Sequence, residues 1–212
     1  MPLATTLLPA LLGLGTGLSL IVAIGAQNAY LLRLAVSSGR RVVLPAVLLC
    51  AVSDAALITA GTLGVGALIQ RAPVAMDIVK IVGAGFLIVY GFLAAWRAIK
   101  PKGAALADGE TPSEGIRIGT AIATIAAFTW LNPHAYLDTV VFLGSIASQQ
   151  APDARWWWVG GAVLASFIWF FSLGFGARLL RPLFSKPLAW RVLDGFTAAV
   201  MVAIAVQLIA AA

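Results

Sequence analysis

The sequence predicts an all-α integral membrane protein with six transmembrane helices. Of its 212 residues, 61% are hydrophobic and 10% are charged, and the mean hydropathy is +1.00. A spanning helix needs about 20 apolar residues, and helices satisfy every backbone group in lipid. No ten-residue stretch alternates as a membrane β-strand would. Six long apolar segments can be read, at about 5–34, 43–69, 75–96, 118–148, 156–180 and 188–211. They leave no room for a soluble domain.

The positions of the basic residues predict how these segments are oriented. Most of the 14 lysines and arginines lie in or beside the first, third and fifth connections. By the positive-inside rule these connections are cytoplasmic, so both termini are expected outside. The net charge of +6 then reflects topology and does not indicate a nucleic-acid partner. A single cysteine, Cys50, excludes an internal disulfide and a two-thiol redox cycle.

A polar segment at 100–117 divides the chain into two groups of three segments. We expect 1–99 and 118–212 to be three-helix repeats joined by a flexible cytoplasmic linker. The residues Asn-Ala-Tyr-Leu at 28–31 resemble His-Ala-Tyr-Leu at 134–137, and Gly-Phe occurs at both 85–86 and 195–196. Because each repeat has three spans, the second must enter the membrane upside down, as in transporters built from inverted repeats.

The first and fourth helices are predicted to be broken. Pro133 lies deep inside the fourth segment, directly after Asn132, and a proline there removes one helical hydrogen bond and clashes with the preceding turn. In the first segment, Gln27 and Asn28 interrupt an apolar run just after Gly25. Paired breaks at corresponding positions of two repeats indicate a transporter substrate site. A kink that serves packing alone is the alternative.

Two acidic side chains inside the spans are further candidates. Asp54 lies near the centre of the second segment, and Asp138 lies five residues after the proline. A carboxylate at the bilayer centre costs on the order of 3 kcal/mol, and no basic residue in these spans is deep enough to pair with it. We therefore expect a cationic substrate or a transferred proton, with a protonated Asp bonded to a neighbouring helix as the alternative. Asp194 is expected to form a local ion pair with Arg191.

Three ring-bearing side chains accompany the breaks. His134, the only histidine, stands at the second break, where it either carries protons or caps a freed carbonyl as a neutral imidazole. Tyr30 and Tyr136 occupy equivalent positions in the two repeats, where they either line the site or pack. The predicted substrate site comprises Gln27, Asn28, Tyr30, Asp54, Asn132, His134, Tyr136 and Asp138, with Asp54 and Asp138 also as proton-coupling residues and Gly25 and Pro133 at the breaks.

The chain resembles the lysine exporter (LysE) family of bacterial amino-acid exporters, the lysine and arginine branch in particular. The matching stretches lie in the family's order along nearly the whole chain: 25–28, 53–54, 60–65, 129–133, 135–138 and 174–177. The family more often has proline at Ala26 and asparagine at His134. The resemblance implies export of Lys and Arg across the bacterial cytoplasmic membrane, driven by the proton gradient or the membrane potential and without a cofactor.

These residues suggest a mechanism. The half-helix N-termini near Asn28 and His134 receive the substrate carboxylate, while Asp54 and Asp138 hold its ammonium or guanidinium groups. An Asp that binds the cation and a proton in turn couples the two fluxes, and one repeat rocks against the other to give alternating access.

Three other functions remain open. A neutral amino-acid exporter for threonine or homoserine needs only one carboxylate. A divalent-cation exporter would use Asp54, Asp138, Asn28 and His134 as ligands. A membrane enzyme acting on lipid-linked substrates would instead use Asp54, Asp138 and His134 as acid and base. No phosphate-binding GxxxxGK[ST] motif occurs, and one His with one Cys does not suggest a resident zinc site. A six-span chain could also form a homodimer.

Overall fold

The computed structural model describes residues 3–22, 25–71, 73–99, 117–180 and 182–210, and every regular element within these ranges is helical. The predicted linker, apart from its last residue, lies outside the described residues. The first half contains a π-helix at Leu3–Leu7 and then α1 (Leu8–Ile21), α2 (Ala26–Ser37), α3 (Arg40–Thr62), α4 (Val65–Gln70) and α5 (Pro73–Ile99). The second half contains α6 (Ile118–Trp130), α7 (Pro133–Ala135), a π-helix at Tyr136–Leu143, α8 (Gly144–Ser148), α9 (Pro152–Gly176), 3-10 turns at Ala177–Leu180 and Leu183–Ser185, and α10 (Pro187–Ala210).

The helices that are long enough to cross a membrane agree with the predicted fold class. Within the described ranges there are four such helices: α3, the Val74–Ile99 part of α5, Pro152–Leu180, and α10. The bent pair Thr5–Ile21 and Ala26–Ser37 counts as a fifth span, with an angle of 83° between its two parts. The segment 118–148 is divided into the 13-residue α6 and the turns that follow Pro133. An all-helical membrane protein is therefore confirmed, and the count of six spans stays a prediction.

Prolines and one glycine set several helix ends. Helices α5, α7, α9 and α10 each begin at a proline, a position where the missing N–H costs no hydrogen bond and the fixed φ already suits a helix. Helix α3 ends just before Gly64, whose φ of +93° is readily adopted only by glycine. The amide of Gly64 donates to the Gly61 carbonyl, which closes the last turn before α4 begins.

The long helices of one half pack against those of the other. Helix α1 lies against α9, α5 against α10, and α3 against both α9 and the π-helix Tyr136–Leu143. Glycines permit the closest approaches: Gly13 of α1 meets the backbone at Trp158 of α9, and Gly161 of α9 meets the backbone at Ala10. Gly61 of α3 similarly faces the backbone at Val140. Small residues at crossings are characteristic of membrane helices, because close backbones maximise van der Waals contact.

Large apolar side chains cover the outer surface of this bundle. Ile81, Val89 and Phe92 of α5 are each more than 60% exposed, as are Val74 and Ile99 near its ends. A water-soluble protein rarely exposes so continuous an apolar surface. The outer face is therefore suited to contact with lipid acyl chains.

Candidate functional site

The first helix break is held together by Asn28. Its Nδ2 donates to the Ile21 carbonyl at 2.8 Å, so the side chain closes the end of α1 from the neighbouring half-helix. Its Oδ1 accepts a hydrogen bond from the indole Nε1 of Trp169, on α9, at 3.3 Å. Gly25 occupies the N-cap of α2 and supplies no side-chain acceptor. The first N–H groups of α2 therefore have no side-chain cap.

The second helix break is closed by side chains of its own segment. Pro133 has no N–H to donate, and the His134 amide donates to Oδ1 of Asn132 at 3.1 Å. The Tyr136 hydroxyl donates to the Trp130 carbonyl at 2.7 Å, replacing a donor that the interrupted helix lacks. Gly83 of α5 lets the backbone at Leu131 approach closely. Unlike the first break, the second has its leading N–H group already satisfied by Asn132.

Asp54 lies between α3 and α9. The residue is only 6% exposed, and its Oδ2 accepts a hydrogen bond from the Ser166 hydroxyl at 3.1 Å. In the described part of the chain, the ion pairs of Lys and Arg go to other acids. A buried carboxylate with one neutral donor needs a proton or a cation to offset its lost hydration. This environment agrees with the expectation that a substrate cation or a proton is its partner.

Gln27 of α2 brings a side-chain amide to α3 close to this carboxylate in sequence. It interacts with the thiol of Cys50, one turn before Asp54 on α3. Its Nε2 is buried and makes no other hydrogen bond to the residues that the structure describes. The start of α2 and the centre of α3 thus bring the Gln27 amide, the Asn28 amide and the Asp54 carboxyl into one buried polar region, to which α9 contributes Ser166 and Trp169.

Asp138 does not join this region. It lies in the π-helix Tyr136–Leu143 and is exposed, whereas the following Thr139 and Val140 are buried towards α3. His134 precedes Asp138 by one turn, and its Nε2 is buried and has no hydrogen-bond partner among the described residues. The structure therefore places the two predicted acids in different surroundings: Asp54 is buried between helices and Asp138 is exposed.

The two tyrosines have different surroundings despite their equivalent positions. Tyr30 is 4% exposed and its ring lies 5.4–5.5 Å from the rings of Phe128 and Tyr90, which Phe86 also contacts. Tyr30 therefore belongs to an aromatic cluster that joins α2, α5 and α6. Tyr136, by contrast, caps a carbonyl at the second break.

Comparison with known proteins identifies the family. Residues 18–212 match the family model described as LysE type translocator. The chain belongs to the LysE family. The match confirms the resemblance found in the sequence and identifies the chain as a multi-pass membrane transporter of a family found in bacteria, not an enzyme.

Three relatives illustrate the family. A Mycobacterium tuberculosis protein, provisionally named an amino-acid transporter, is 43% identical over 189 residues, which cover 89% of this chain and 90% of the relative. The arginine exporter ArgO of Pectobacterium carotovorum is 42% identical over 196 residues, covering 91% and 92%. The lysine exporter LysE of Corynebacterium diphtheriae is 36% identical over 225 residues, covering 94% and 98%. No solved structure matches the chain.

One charged cluster of this LysE-family chain differs from the sequence prediction. Asp194 does not pair with Arg191, which is exposed; it forms ion pairs with Arg33 of α2 and, at 3.4 Å, with Arg97 of α5. The prediction was wrong because spacing along one helix shows which residues are neighbours but not which helices its buried face meets. The signal available in the sequence was an acid within an apolar span, the same signal that singled out Asp54.

The described residues of this LysE-family chain contain no group of three or more His, Cys, Asp and Glu side chains able to hold a metal ion. Asp54, Asp138 and His134, suggested above as ligands for a divalent cation, are accordingly not gathered into one such group.

Proposed function

We propose that this protein is a secondary active exporter of basic amino acids, L-lysine and L-arginine, across the bacterial cytoplasmic membrane. The observation that carries the proposal is the buried carboxyl of Asp54, which has no basic partner among the described residues and lies beside a helix break. The relatives named lysine exporter and arginine exporter support the choice of substrate, since each aligns over more than nine-tenths of this chain.

The substrate is held at the first break. Its carboxylate lies at the start of α2, where the leading N–H groups have no side-chain cap and the helix dipole is positive. Asp54 binds an ammonium or guanidinium group of the same molecule. Asn28 fixes the geometry of the break through Ile21 and Trp169, and Gln27 offers its buried amide. Tyr30 anchors α2 to α5 and α6 through its ring contacts with Tyr90 and Phe128.

The second break has a different part in the proposed cycle. Asn132 and Tyr136 already satisfy the backbone there, so it does not receive a carboxylate in this conformation. Asp138 is exposed and His134 lies one turn before it, and the two serve as a second site for a cation or a proton. This revises the sequence-based mechanism, in which both breaks bound the carboxylate.

Helix packing supports two inverted repeats, 1–99 and 118–212, joined by the linker 100–117. Exchanging the repeats would convert the pair α1 and α9 into the pair α6 and α3, and both pairs pack. The same exchange swaps α3 with α9 and α5 with α10, so each of these packed pairs is converted into itself. A two-fold axis between the repeats requires this. Rocking of one repeat against the other then gives alternating access, with both termini outside by the positive-inside rule.

Energetics favour coupling to protons. Moving one positive charge outwards against about 100 mV, inside negative, costs roughly 2.3 kcal/mol. Export of Lys⁺ alone is therefore opposed by the membrane potential. Returning one proton for each cation cancels this electrical cost, and a carboxyl that binds the cation and the proton in turn links the two movements. Asp54 has the burial that makes such an exchange obligatory, since an empty charged state is costly.

The test compares two acid-to-amide variants in proteoliposomes. Vesicles loaded with labelled lysine and given an inward proton gradient should show efflux with the wild-type protein and none with Asp54→Asn. Asp77→Asn is the matched control, because Asp77 is half-exposed and pairs locally with Lys80; it should retain wild-type efflux. Efflux at the wild-type rate from folded Asp54→Asn would refute the assignment of Asp54.

One structural observation favours a second candidate, a neutral amino-acid exporter. Asp138 is exposed and apart from Asp54, and one buried carboxylate suffices for an α-ammonium group. The same vesicles loaded with threonine or homoserine distinguish the candidates: efflux of these but not of lysine or arginine would favour the neutral exporter. A panel of divalent metal ions in the same assay tests the remaining transport alternative.

A further inference from the structure

A second buried charged cluster lies apart from Asp54. Arg33 Nη1 and Arg97 Nε both approach Oδ1 of Asp194, the latter at 3.4 Å. Asp194 is 3% exposed, and the three residues come from α2, α5 and α10. Among the described residues, two guanidinium groups thus share one carboxylate, which leaves one positive charge of the cluster without an acidic partner there. A pair that only held helices together would need one arginine.

The uncompensated charge resides on a guanidinium group that is held in place and incompletely bonded. Arg97 lies with its Cζ 5.4 Å from the ring centre of Tyr90, and Arg33 lies at the same distance from the ring of Trp190. Nη2 of Arg97 is buried and has no hydrogen-bond partner within the described ranges. Leaving such a donor unpaired is costly, and cation–π contacts fix the plane in which it points. The donor is therefore open to an acceptor, and the positive charge of the group favours an anion.

We propose that Arg33, Arg97 and Asp194 form a carboxylate-binding subsite, in which Nη2 of Arg97 binds the α-carboxylate of the transported amino acid. The inference rests on the proposed function, since it takes the substrate to be an amino acid. A guanidinium group binds a carboxylate through parallel N–H donors, and Arg97 has donors left after its contact with Asp194. Nη2 itself is buried, but 32% of the Arg97 side-chain surface is exposed, so the guanidinium group must turn outwards to meet a carboxylate.

The subsite is connected to the first break through α2. Arg33 follows Asn28 by five residues, or roughly 7.5 Å along the helix axis. The guanidinium group of Arg97 lies over the ring of Tyr90, and this ring also contacts the ring of Tyr30 in α2. A substrate therefore meets the two sites in succession: Arg97 first binds its carboxylate, which then passes to the start of α2 as Asp54 binds its cation. Because every amino acid has an α-carboxylate, this subsite selects the substrate class and not its side chain.

A titration observed at Arg97 itself tests the proposal. The full chain, labelled with ¹⁵N-arginine and purified in detergent, is titrated with lysine and, separately, with lysinamide, while the guanidinium Nε signals are followed by NMR. The Arg97 signal is assigned by its loss in Arg97→Lys. Lysine should shift it and lysinamide should not. Arg155 provides an internal control, since its Nε is also buried without a partner; its signal should not respond to either compound.

Binding of labelled lysine to the same protein gives the magnitude. Arg97→Gln should weaken lysine binding by about tenfold or more, as expected for loss of a charge-assisted hydrogen bond, and leave lysinamide binding unchanged. The lysine affinity of Arg97→Lys should lie between those of the wild type and Arg97→Gln. Arg155→Gln should bind lysine as tightly as the wild type. The proposal would be overturned if lysine and lysinamide shifted the Arg97 signal equally. It would also be overturned if Arg97→Gln weakened the binding of both compounds equally.

The same design separates this inference from the proposed function. If the protein binds threonine and not lysine, the preference for basic amino acids fails, and threonine with threoninamide applies the same test to Arg97. If lysine binds and its carboxylate does not affect Arg97, only the subsite fails. If neither amino acid binds the folded wild-type protein, both are overturned.

Discussion

The crossing of α1 and α9 offers a sharp test of the packing. A Cβ added at Gly161 would lie 2.8 Å from the carbonyl carbon of Ala10 and 2.9 Å from the amide nitrogen of Leu14, and nearer still to the Ala10 oxygen. Real Cβ atoms essentially never come within 3.0 Å of such atoms, and the obstacle is backbone, so a whole helix must move. At the adjacent Gly160, an added Cβ would meet nothing within 4 Å.

Gly161→Ala and Gly160→Ala are therefore matched variants. Both gain the same helix propensity, about 1 kcal/mol for Gly to Ala, and only the first introduces a collision. Overpacking of a tight contact costs about 1–3 kcal/mol. Gly161→Ala should thus be less stable than Gly160→Ala by about 1–3 kcal/mol, or about 2–12 °C in Tm for a chain of this size.

The chain supplies its own reporter for the measurement. Cys50 is its only cysteine and is fully buried, so a thiol-reactive fluorophore labels the protein in detergent only as it unfolds. The facing helix provides a second pair, Gly13→Ala, which meets the backbone at Trp158, and Gly15→Ala, which meets nothing. Equal melting temperatures for Gly161→Ala and Gly160→Ala would show that the two helices do not approach as closely as described.

The remaining predictions concern the two breaks. Trp169→Phe keeps an aromatic ring but removes the donor to Asn28, and should lower stability by about 1 kcal/mol and slow efflux; Trp157→Phe, at an exposed position, should do neither. Tyr136→Phe removes the hydroxyl that caps the Trp130 carbonyl, and should cost about 0.5–1.5 kcal/mol in the same unfolding assay. If either variant has the melting temperature of the wild type, the hydrogen bond that it removes does not stabilise that break.

The predictable features were those determined by local chemistry. Apolar length predicted the long helices, and Pro133 predicted an interruption because a proline cannot donate a hydrogen bond wherever it lies. Asp54 was recognisable because a carboxylate within an apolar span is costly in any arrangement. Each of these inferences needed only a residue and its neighbours in sequence.

The sequence did not predict which side chains of each helix point towards lipid and which point towards the other helices. A membrane helix is apolar towards lipid and towards protein, so its sequence lacks the periodic polar face that orients a helix in a soluble protein. This is why Asp138 was expected beside Asp54 and instead lies on the exposed surface. The partners of Asp194 and Asn28 are also distant in sequence, at Arg33 and Trp169 respectively, and no local pattern specifies such pairs.

The two breaks differ in a way that bears on how an inverted repeat would work. Asn28 reaches out of its segment to α9, and the leading N–H groups of α2 lack a side-chain cap. Asn132, by contrast, caps its own half-helix through the His134 amide. Two repeats related by symmetry would convert one transport state into the other by exchanging these conformations, so that the second break would open as the first closes. On this view the hydrogen bonds of both breaks must be exchanged in every cycle. Slower efflux from Trp169→Phe and from Tyr136→Phe would agree with it, whereas an effect of only one would restrict the conformational change to that repeat.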